Sequence, residues 1–316
     1  MKLSIRYTII ILAIGIVAAI VADWFLQKGL EKSNEDVIGK LNEIINDTTY
    51  YDVLCLGSSR TIAHINPEVI TNETGLSVYN AGMNGGCMID FNALFKVYLA
   101  RHPAPKMVII HVDEFTFETQ VISELPRYFP FIKNKTLYEN LVKYDKNVLV
   151  VKYIPFLRLM YYNDLFKWIA VKSWLNIEAR DEYKLINGYR VNKSKWSSYR
   201  QENLGARMKA IQEMQTLVEE EKKGEPLFSE ILELCKQYNI KLLFTSSPII
   251  GGDVFKKYEN TIHKIEQMSA GYKPNYLWMH KEQWSPDEYY YDFTHMNNLG
   301  ADKFSKYLSD FINKSK

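Results

Sequence analysis

The chain has 316 residues, 47% of them hydrophobic, and its 39 basic and 37 acidic residues leave a net charge of +2. A nearly balanced charge, with no basic stripe interleaved with aromatic residues, argues against a nucleic-acid-binding protein. The length and hydrophobic content predict one large α/β domain, with room for a sub-domain.

The cysteines and histidines form no metal-binding or redox pattern. Cys55, Cys87 and Cys235 are an odd number without a Cys-x-x-Cys spacing, which argues against a zinc site or a disulfide framework. The six histidines are scattered and include no His-Glu-x-x-His sequence. We therefore expect neither a metal ion nor a cofactor.

The amino terminus has the composition of a membrane-spanning helix. Lys2 and Arg6 precede a mostly apolar stretch that ends near Leu26, with Trp24 close to its far end. About 20 apolar residues in a helix span the ~30 Å hydrocarbon layer. The flanking residues predict a cytoplasmic amino terminus and an extracytoplasmic body. A cleaved signal peptide and a buried core helix are the alternative interpretations.

A second helical pattern follows this anchor, which we place at residues 1–26. Between residues 27 and 49, apolar residues such as Leu30, Val37 and Leu41 recur at helical spacing with charges between them. This pattern predicts a stalk helix leading to a domain at residues 50–316.

A candidate nucleophile follows the first apolar strand of that domain. The run Val53-Leu54-Cys55-Leu56 ends in Gly57-Ser58-Ser59. A glycine permits a sharp turn here, and Ser59 is then presented at the carboxyl end of a strand. A serine in an ordinary solvated turn is the alternative, because Gly-Ser pairs are common.

Strand and helix patterns alternate along most of the remaining sequence. Further strands are predicted at residues 77–80, 107–111, 241–245 and 276–279, and helices at 88–101, 226–238, 253–267 and 299–312. This alternation predicts a parallel sheet with crossover helices.

The region from about residue 115 to 223 interrupts this alternation with Pro-marked aromatic clusters around Tyr128 and Tyr161. We interpret it as an insertion over the carboxyl edge of the sheet. Its aromatic residues could line a substrate groove, contact the membrane, dock a membrane partner or form the core of the insertion itself.

Asp292 and His295 are the candidate partners of Ser59. An Asp three residues before a His can place carboxylate and imidazole on one side of a turn. His295 would then take the Ser59 proton, and Asp292 would orient the imidazole. Ser246 and Ser247 end a later strand and are rival nucleophiles, although Pro248 and the lack of a preceding glycine favour a loop role.

The Gly-x-Ser after the first strand and the late Asp-x-x-His together resemble the SGNH/GDSL hydrolase family. The closest likeness is to membrane-anchored D-alanyl transfer proteins and similar envelope acyl-transfer proteins. It covers the first strand and turn, the next βα unit and the last fifty or so residues. The resemblance implies a flavodoxin-like three-layer sandwich with a central parallel sheet.

Carried over residue by residue, the resemblance makes Ser59, Asp292 and His295 a catalytic triad and makes the amides of Ser59 and Gly82 oxyanion donors. The family's third block should add an Asn side chain, but Asp113 and Glu114 follow the third strand here. A carboxylate facing an oxyanion would be repulsive unless protonated. Asn84 is our candidate substitute, with a plain turn residue as the alternative.

The resemblance and the anchor together predict an extracytoplasmic serine acyl esterase or O-acyltransferase. Its substrate would be an acylated glycan or another ester of the cell envelope, and a multi-spanning membrane acyltransferase could be its partner. A catalytically inactive binding or assembly protein with the same fold is the main alternative, and a soluble secreted esterase released by signal cleavage is another.

Overall fold

The computed structural model describes residues 2–118, 121–178, 184–196, 224–250 and 255–315. The chain forms two compact units, each built from separate stretches of sequence. The first contains residues 1–46 and 124–184, and the second contains residues 47–123 and 185–316. The part of the predicted insertion at residues 197–223 lies outside the described residues.

The second unit is an α/β unit around a five-stranded parallel sheet. In chain order its strands are β1 (Val53–Leu56), β2 (Val78–Asn80), β3 (Met107–His111), β6 (Lys241–Ser246) and β7 (Asn275–Trp278). Their order across the sheet is β2-β1-β3-β6-β7. The three inner strands are continuous apolar runs because helices cover both faces of such a sheet.

Between β3 and β6 the chain also forms a short antiparallel hairpin of β4 (Leu185–Ile186) and β5 (Tyr189–Arg190). The helices of this unit are α3 (Ser59–His64), α4 (Pro67–Thr74), α5 (Met88–Arg101), α9 (Gly224–Gln237), α10 (Phe255–Ser269), α11 (Pro286–Tyr289) and α12 (Asn298–Lys314). Predicted strands and helices lie within about two residues of these bounds, the usual uncertainty of element ends.

Side-chain caps tie the first part of this unit to the last. The Asn66 side chain accepts from the Glu68 amide and so caps α4, where Pro67 fits the first helical position. The Asn66 backbone N–H donates to Ser305 Oγ (2.8 Å), and its Nδ2 donates to Asp302 Oδ1 (2.7 Å). Because both acceptors lie on α12, the turn after β1 is held beside the carboxyl-terminal helix.

The first unit is helical. Its elements are α1 (Lys2–Lys32), α2 (Asp36–Asn46), α6 (Lys135–Leu141), α7 (Asn147–Tyr153), α8 (Asp164–Trp174) and the 3-10 helices Leu125–Phe131 and Pro155–Met160. Among the described residues, one helix, at Ile5–Lys32, is long and apolar enough to cross a membrane or to act as a signal sequence. Its apolar side chains are exposed as far as Phe25.

Residues predicted as a separate stalk pack into this helical unit. The predicted boundary at residue 26 falls inside α1, which continues to Lys32, and the chain then turns back into α2. Leu30, Ile38 and Leu41 are fully buried. Aromatic residues of the predicted insertion are buried in the same unit, so they belong to a core that includes α1 and α2 and not to a core of the insertion alone: Tyr128, Phe129, Phe131, Tyr162 and Phe166.

Candidate active site

The two serines in the turn after β1 have different environments. Ser58 is the N-cap of α3, and its buried Oγ accepts from the Arg60 amide at 3.2 Å. Ser59 is the first residue of α3 and is only partly buried. Ser58 therefore has a structural role as the helix cap, and the Ser59 hydroxyl is not needed for capping.

Gly57 makes this turn sterically feasible. Its φ is +152°, and a Cβ added there would lie 2.0 Å from Thr61 Oγ1 and 2.9 Å from the His111 carbonyl oxygen. We expect Gly57→Ala to displace α3 and to cost about 1–3 kcal/mol of unfolding free energy. Urea unfolding of the purified chain measures this loss. Gly271→Ala is the matched control, because nothing lies within 4 Å of its added Cβ. Equal urea midpoints for the two variants would contradict this account of the turn.

The loop before α12 folds around the Asp292 carboxylate. Its Oδ1 accepts from the backbone amides of Thr294 and His295, each at 2.8 Å, and from Thr294 Oγ1 at 3.0 Å. These bonds fix the three-residue spacing as one turn. His295 Nδ1 lies 3.1 Å from both Asp292 carboxylate oxygens. The ring of Tyr291 stacks on His295 with centroids 5.5 Å apart.

The second imidazole nitrogen reaches the serine. His295 Nε2 lies 2.8 Å from Ser59 Oγ, across 236 positions of sequence. The side chains of His295 and Asp292 are 20% and 30% exposed, so solvent reaches the group. Hydroxyl, imidazole and carboxylate thus form one chain of hydrogen bonds, the geometry in which an imidazole can take a serine proton.

Comparison with known protein families found no matching family model, and comparison with curated proteins found no significant match. An activity can therefore be inferred only from the geometry of the site.

The environment keeps Asp292 ionised. Partial burial works to raise its pKa, but the hydrogen bond and charge of His295 and the Thr294 donors outweigh burial and lower the pKa to about 2. A carboxylate that stays charged can hold the neutral imidazole in the Nδ1–H tautomer, which leaves Nε2 free to accept the Ser59 proton.

The predicted oxyanion donors are less well arranged. The Gly82 amide donates to Asn80 Oδ1 at 3.0 Å, so it would have to share or leave that bond to reach an oxyanion. Asn80 is fully buried and also donates to the carbonyls of Thr61 and Ile65, which fastens β2 to α3. Asn84 lies half-buried in the turn with Gly85, and its predicted role stays a prediction.

The carboxylates after β3 are bound by a buried guanidinium, a pairing that the sequence did not predict. Arg60 Nη1 lies 2.9 Å from Asp113 Oδ1 and 2.5 Å from Glu114 Oε2, and it also donates to Tyr258 OH at 2.6 Å. Burial works to raise the pKa of Glu114, but the charge and hydrogen bonds of Arg60 lower it overall. For the fully buried Asp113, burial prevails and raises the pKa.

A buried histidine cluster that the sequence did not reveal lies beside the triad. His64 Nδ1 and His111 Nε2 contact Ser247 Oγ at 2.7 Å and 3.0 Å. His64 Nε2 accepts from the Met296 amide at 3.1 Å, the residue directly after His295. Ser247, a rival nucleophile by sequence, has no exposed surface and serves here as a link between the two imidazoles.

Both cluster histidines are held neutral. Burial, with neighbouring His111, lowers the pKa of His64 well below its usual value, and burial with the Arg60 charge lowers that of His111 to about 3. An unfolded histidine titrates near pH 6.5, so below that pH the unfolded state binds more protons than the folded state. The contribution of these two histidines to stability is therefore greatest above about pH 6.5 and is lost progressively as the pH drops toward about 3.

We expect His111→Gln to weaken this acid sensitivity, because Gln keeps an acceptor for Ser247 but cannot be protonated. Between about pH 7 and about pH 5, wild type should lose about 2 kcal/mol more unfolding free energy than the variant. Urea unfolding at the two pH values measures the difference, with His263→Gln, an exposed histidine on α10, as control. Equal losses in wild type and His111→Gln would contradict the assignment.

Proposed function

We propose that the chain is a membrane-anchored serine acyl esterase or O-acyltransferase of the SGNH type, acting on an acylated glycan of the cell envelope. The observation that carries the proposal is the pair of imidazole contacts, Ser59 Oγ on Nε2 and the Asp292 carboxylate on Nδ1. The sheet order supports it, because β2-β1-β3-β6-β7 is the flavodoxin-like order that the SGNH resemblance implies.

The proposed reaction proceeds in two acyl-transfer steps. Ser59 Oγ attacks the ester carbonyl as His295 Nε2 takes its proton, and the tetrahedral intermediate then expels the alcohol, which receives the proton from His295. The acyl group is left on Ser59. Water, or a sugar hydroxyl, next gives its proton to His295 and attacks the acyl-serine. The second tetrahedral intermediate then expels Ser59 Oγ, which takes the proton back from His295 as the acid or the new ester leaves.

Stabilisation of the oxyanion falls to backbone amides in this proposal. Ser59 starts α3, and amides in the first turn of a helix have no acceptor within the helix. The Gly82 amide would join when the carbonyl oxygen of the substrate displaces Asn80. A preorganised donor is worth about 10²–10³ in kcat, so the Gly82 amide, which must first give up its bond to Asn80, would contribute less.

Contacts of α1 support retention of the anchor. Asp23 and Gln27 are buried in the helical unit, where Asp23 pairs with Arg158 and Gln27 donates to the Pro130 carbonyl. Signal cleavage after residue 26 would leave the buried Arg158 guanidinium without its carboxylate, which is costly. Lys2 and Arg6 favour a cytoplasmic amino terminus.

The test is incubation of the purified chain with O-acetylated polysaccharide and an unacetylated oligosaccharide acceptor. Wild type should release acetate or transfer acetyl groups to the acceptor, and Ser59→Ala should do neither. Mass spectrometry of the acceptor separates transfer from hydrolysis. Activity that persists in Ser59→Ala would refute the proposed nucleophile.

A catalytically inactive binding protein of the cell envelope is the second candidate. The Gly82 contact with Asn80 and the lack of an Asn after β3 favour it, because both leave the oxyanion site short of donors. The discriminating result is glycan binding, measured by calorimetry, without acyl release from any acylated glycan and without reaction of Ser59 with an acylating probe.

A further inference from the structure

We infer that an apolar collar on the first unit rests in the interface of the phospholipid bilayer that holds α1. The collar consists of side chains exposed at the ends of α7, α8 and the 3-10 helix Pro155–Met160, namely Tyr153, Ile154, Met160, Leu175 and Ile177. The inference rests on the membrane anchoring in the proposed function and adds a second contact with the lipid.

Helix α8 runs antiparallel to α1 at close range. A Cβ on Gly29 would lie 2.4 Å from the Ala170 carbonyl oxygen, so the helices touch through backbone at that level. Phe25 lies four residues before Gly29 on α1, and Trp174 lies four residues after Ala170 on α8. These two residues are also in contact: their rings stack with centroids 5.2 Å apart, and Trp174 Nε1 donates to the Phe25 carbonyl at 2.9 Å. The carboxyl end of α8 therefore points toward the apolar part of α1.

A buried ion pair ties the other part of the collar to the same segment of α1. Arg158 Nε donates to Asp23 Oδ1 at 2.9 Å, and the side chains of both residues are nearly fully buried. Arg158 belongs to the 3-10 helix that ends at Met160. Met160 is 81% exposed and lies two residues from this contact.

The contacts place the collar where α1 would leave the hydrocarbon. Residues 5–22 have no charged side chain except Arg6, and as a helix they cover ~27 Å, close to the ~30 Å apolar thickness of a bilayer. Asp23, Trp24 and Phe25 then lie at one interface, where aromatic residues are favoured. The anchors of the collar, Arg158 and Trp174, contact this same short segment.

A lipid surface is the occupant that this arrangement favours. The collar adjoins the exposed apolar surface of α1, which needs lipid around it, and large apolar side chains grouped beside such a helix gain free energy by entering the acyl boundary. Lys32 is the last residue of α1, at the end away from the apolar run, and its Nζ lies 4.1 Å from the centroid of the Trp174 ring. At this position its charge would meet lipid headgroups.

The test compares fluorescent labels at the two ends of α8. The background is the full chain with Cys87→Ser, because its other two cysteines are buried. Three variants each add one cysteine to this background. Leu175→Cys and Met160→Cys lie in the collar, and Asp164→Cys replaces a side chain that is 93% exposed at the other end of α8. The ends of α8 are ~15 Å apart. Each variant carries a nitrobenzoxadiazole label and is reconstituted in vesicles of phosphatidylcholine and phosphatidylglycerol with nitroxide-labelled phospholipid.

Labels at 175 and 160 should emit at shorter wavelength and be quenched several-fold more strongly than the label at 164. Equal, weak quenching at all three positions would overturn the inference and leave a protein partner as the occupant. Alkaline carbonate extraction separates this failure from failure of the anchor, because an anchored chain stays with the vesicles. Release of the chain by carbonate would refute both the anchor and the collar. It would not bear on Ser59 as the nucleophile, because the activity of Ser59→Ala tests that role separately.

Discussion

Replacement of Ser59 by Ala should lower kcat for cleavage of a small activated ester by about 10⁴-fold or more, with little change in KM. The hydroxyl forms the acyl bond, and it lies 2.8 Å from His295 Nε2, the nitrogen that takes its proton. His295→Ala should lose about as much, because the hydroxyl without its base is a weak nucleophile. Asp292→Asn should lose less, about 10³- to 10⁴-fold, because it disturbs the tautomer and not the bond that forms.

Double variants sharpen this prediction. Because the three groups act as a unit, Ser59→Ala with His295→Ala should be no slower than either single variant. Ser194→Ala and His263→Ala are matched controls on exposed surface, and both should keep wild-type rates. Losses that multiply in the double variant would contradict a shared mechanism and would indicate separate structural effects.

Arg60→Leu should lower the unfolding free energy by about 3–5 kcal/mol, the usual cost of removing one partner from a buried ion pair. The change leaves the carboxylates of Asp113 and Glu114 buried without a cation and takes a donor from Tyr258. A loss of this size is a large part of the stability of a typical domain. Urea unfolding, followed by circular dichroism of the detergent-solubilised chain, measures it.

The double variant Arg60→Leu with Glu114→Gln identifies the cause. If the cost comes from an uncompensated charge, neutralising Glu114 should restore part of the stability that Arg60→Leu removes. Lys281→Ala breaks the exposed pair with Glu259 and should leave the urea midpoint nearly unchanged. A double variant as unstable as the sum of its single changes would contradict the ion-pair explanation.

Local sequence signals predicted the strands of the sheet and marked residues that the structure brings together. Continuous apolar runs marked β1, β3 and β6, because strands covered on both faces carry no polar alternation. The residues Gly57, Ser59, Asp292 and His295 stood out because each follows a strand or precedes a helix, and the structure brings the last three within hydrogen-bonding distance. Their catalytic role stays a prediction.

Pairings between distant residues that belong to no recognised motif were not predictable. Arg60 and Asp113 are 53 positions apart, and His64 and Ser247 are 183 apart, so no local pattern joins them. The carboxylates after β3 were expected to weaken the site, yet a buried guanidinium binds them. A charged residue directly after the candidate nucleophile, together with paired acids at a strand end, was the signal that could have suggested this.

The division into units was also outside the reach of local patterns. The sequence suggested a stalk and a separate insertion, whereas α1, α2 and residues 124–184 share one compact unit. Spacing showed that α2 has an apolar face but could not show what covers it. Packing across more than 100 positions, such as Asp23 on Arg158, decided the outcome.

Reaction with a fluorophosphonate probe, followed by mass spectrometry of the labelled peptide, tests the central claim most directly. An activated serine reacts with such a probe and an ordinary hydroxyl does not. We predict a single adduct on Ser59 that is lost in Ser59→Ala and His295→Ala and retained in Ser247→Ala. An adduct on Ser247, or a folded wild-type chain that stays unlabelled beside a reactive control esterase, would contradict the account.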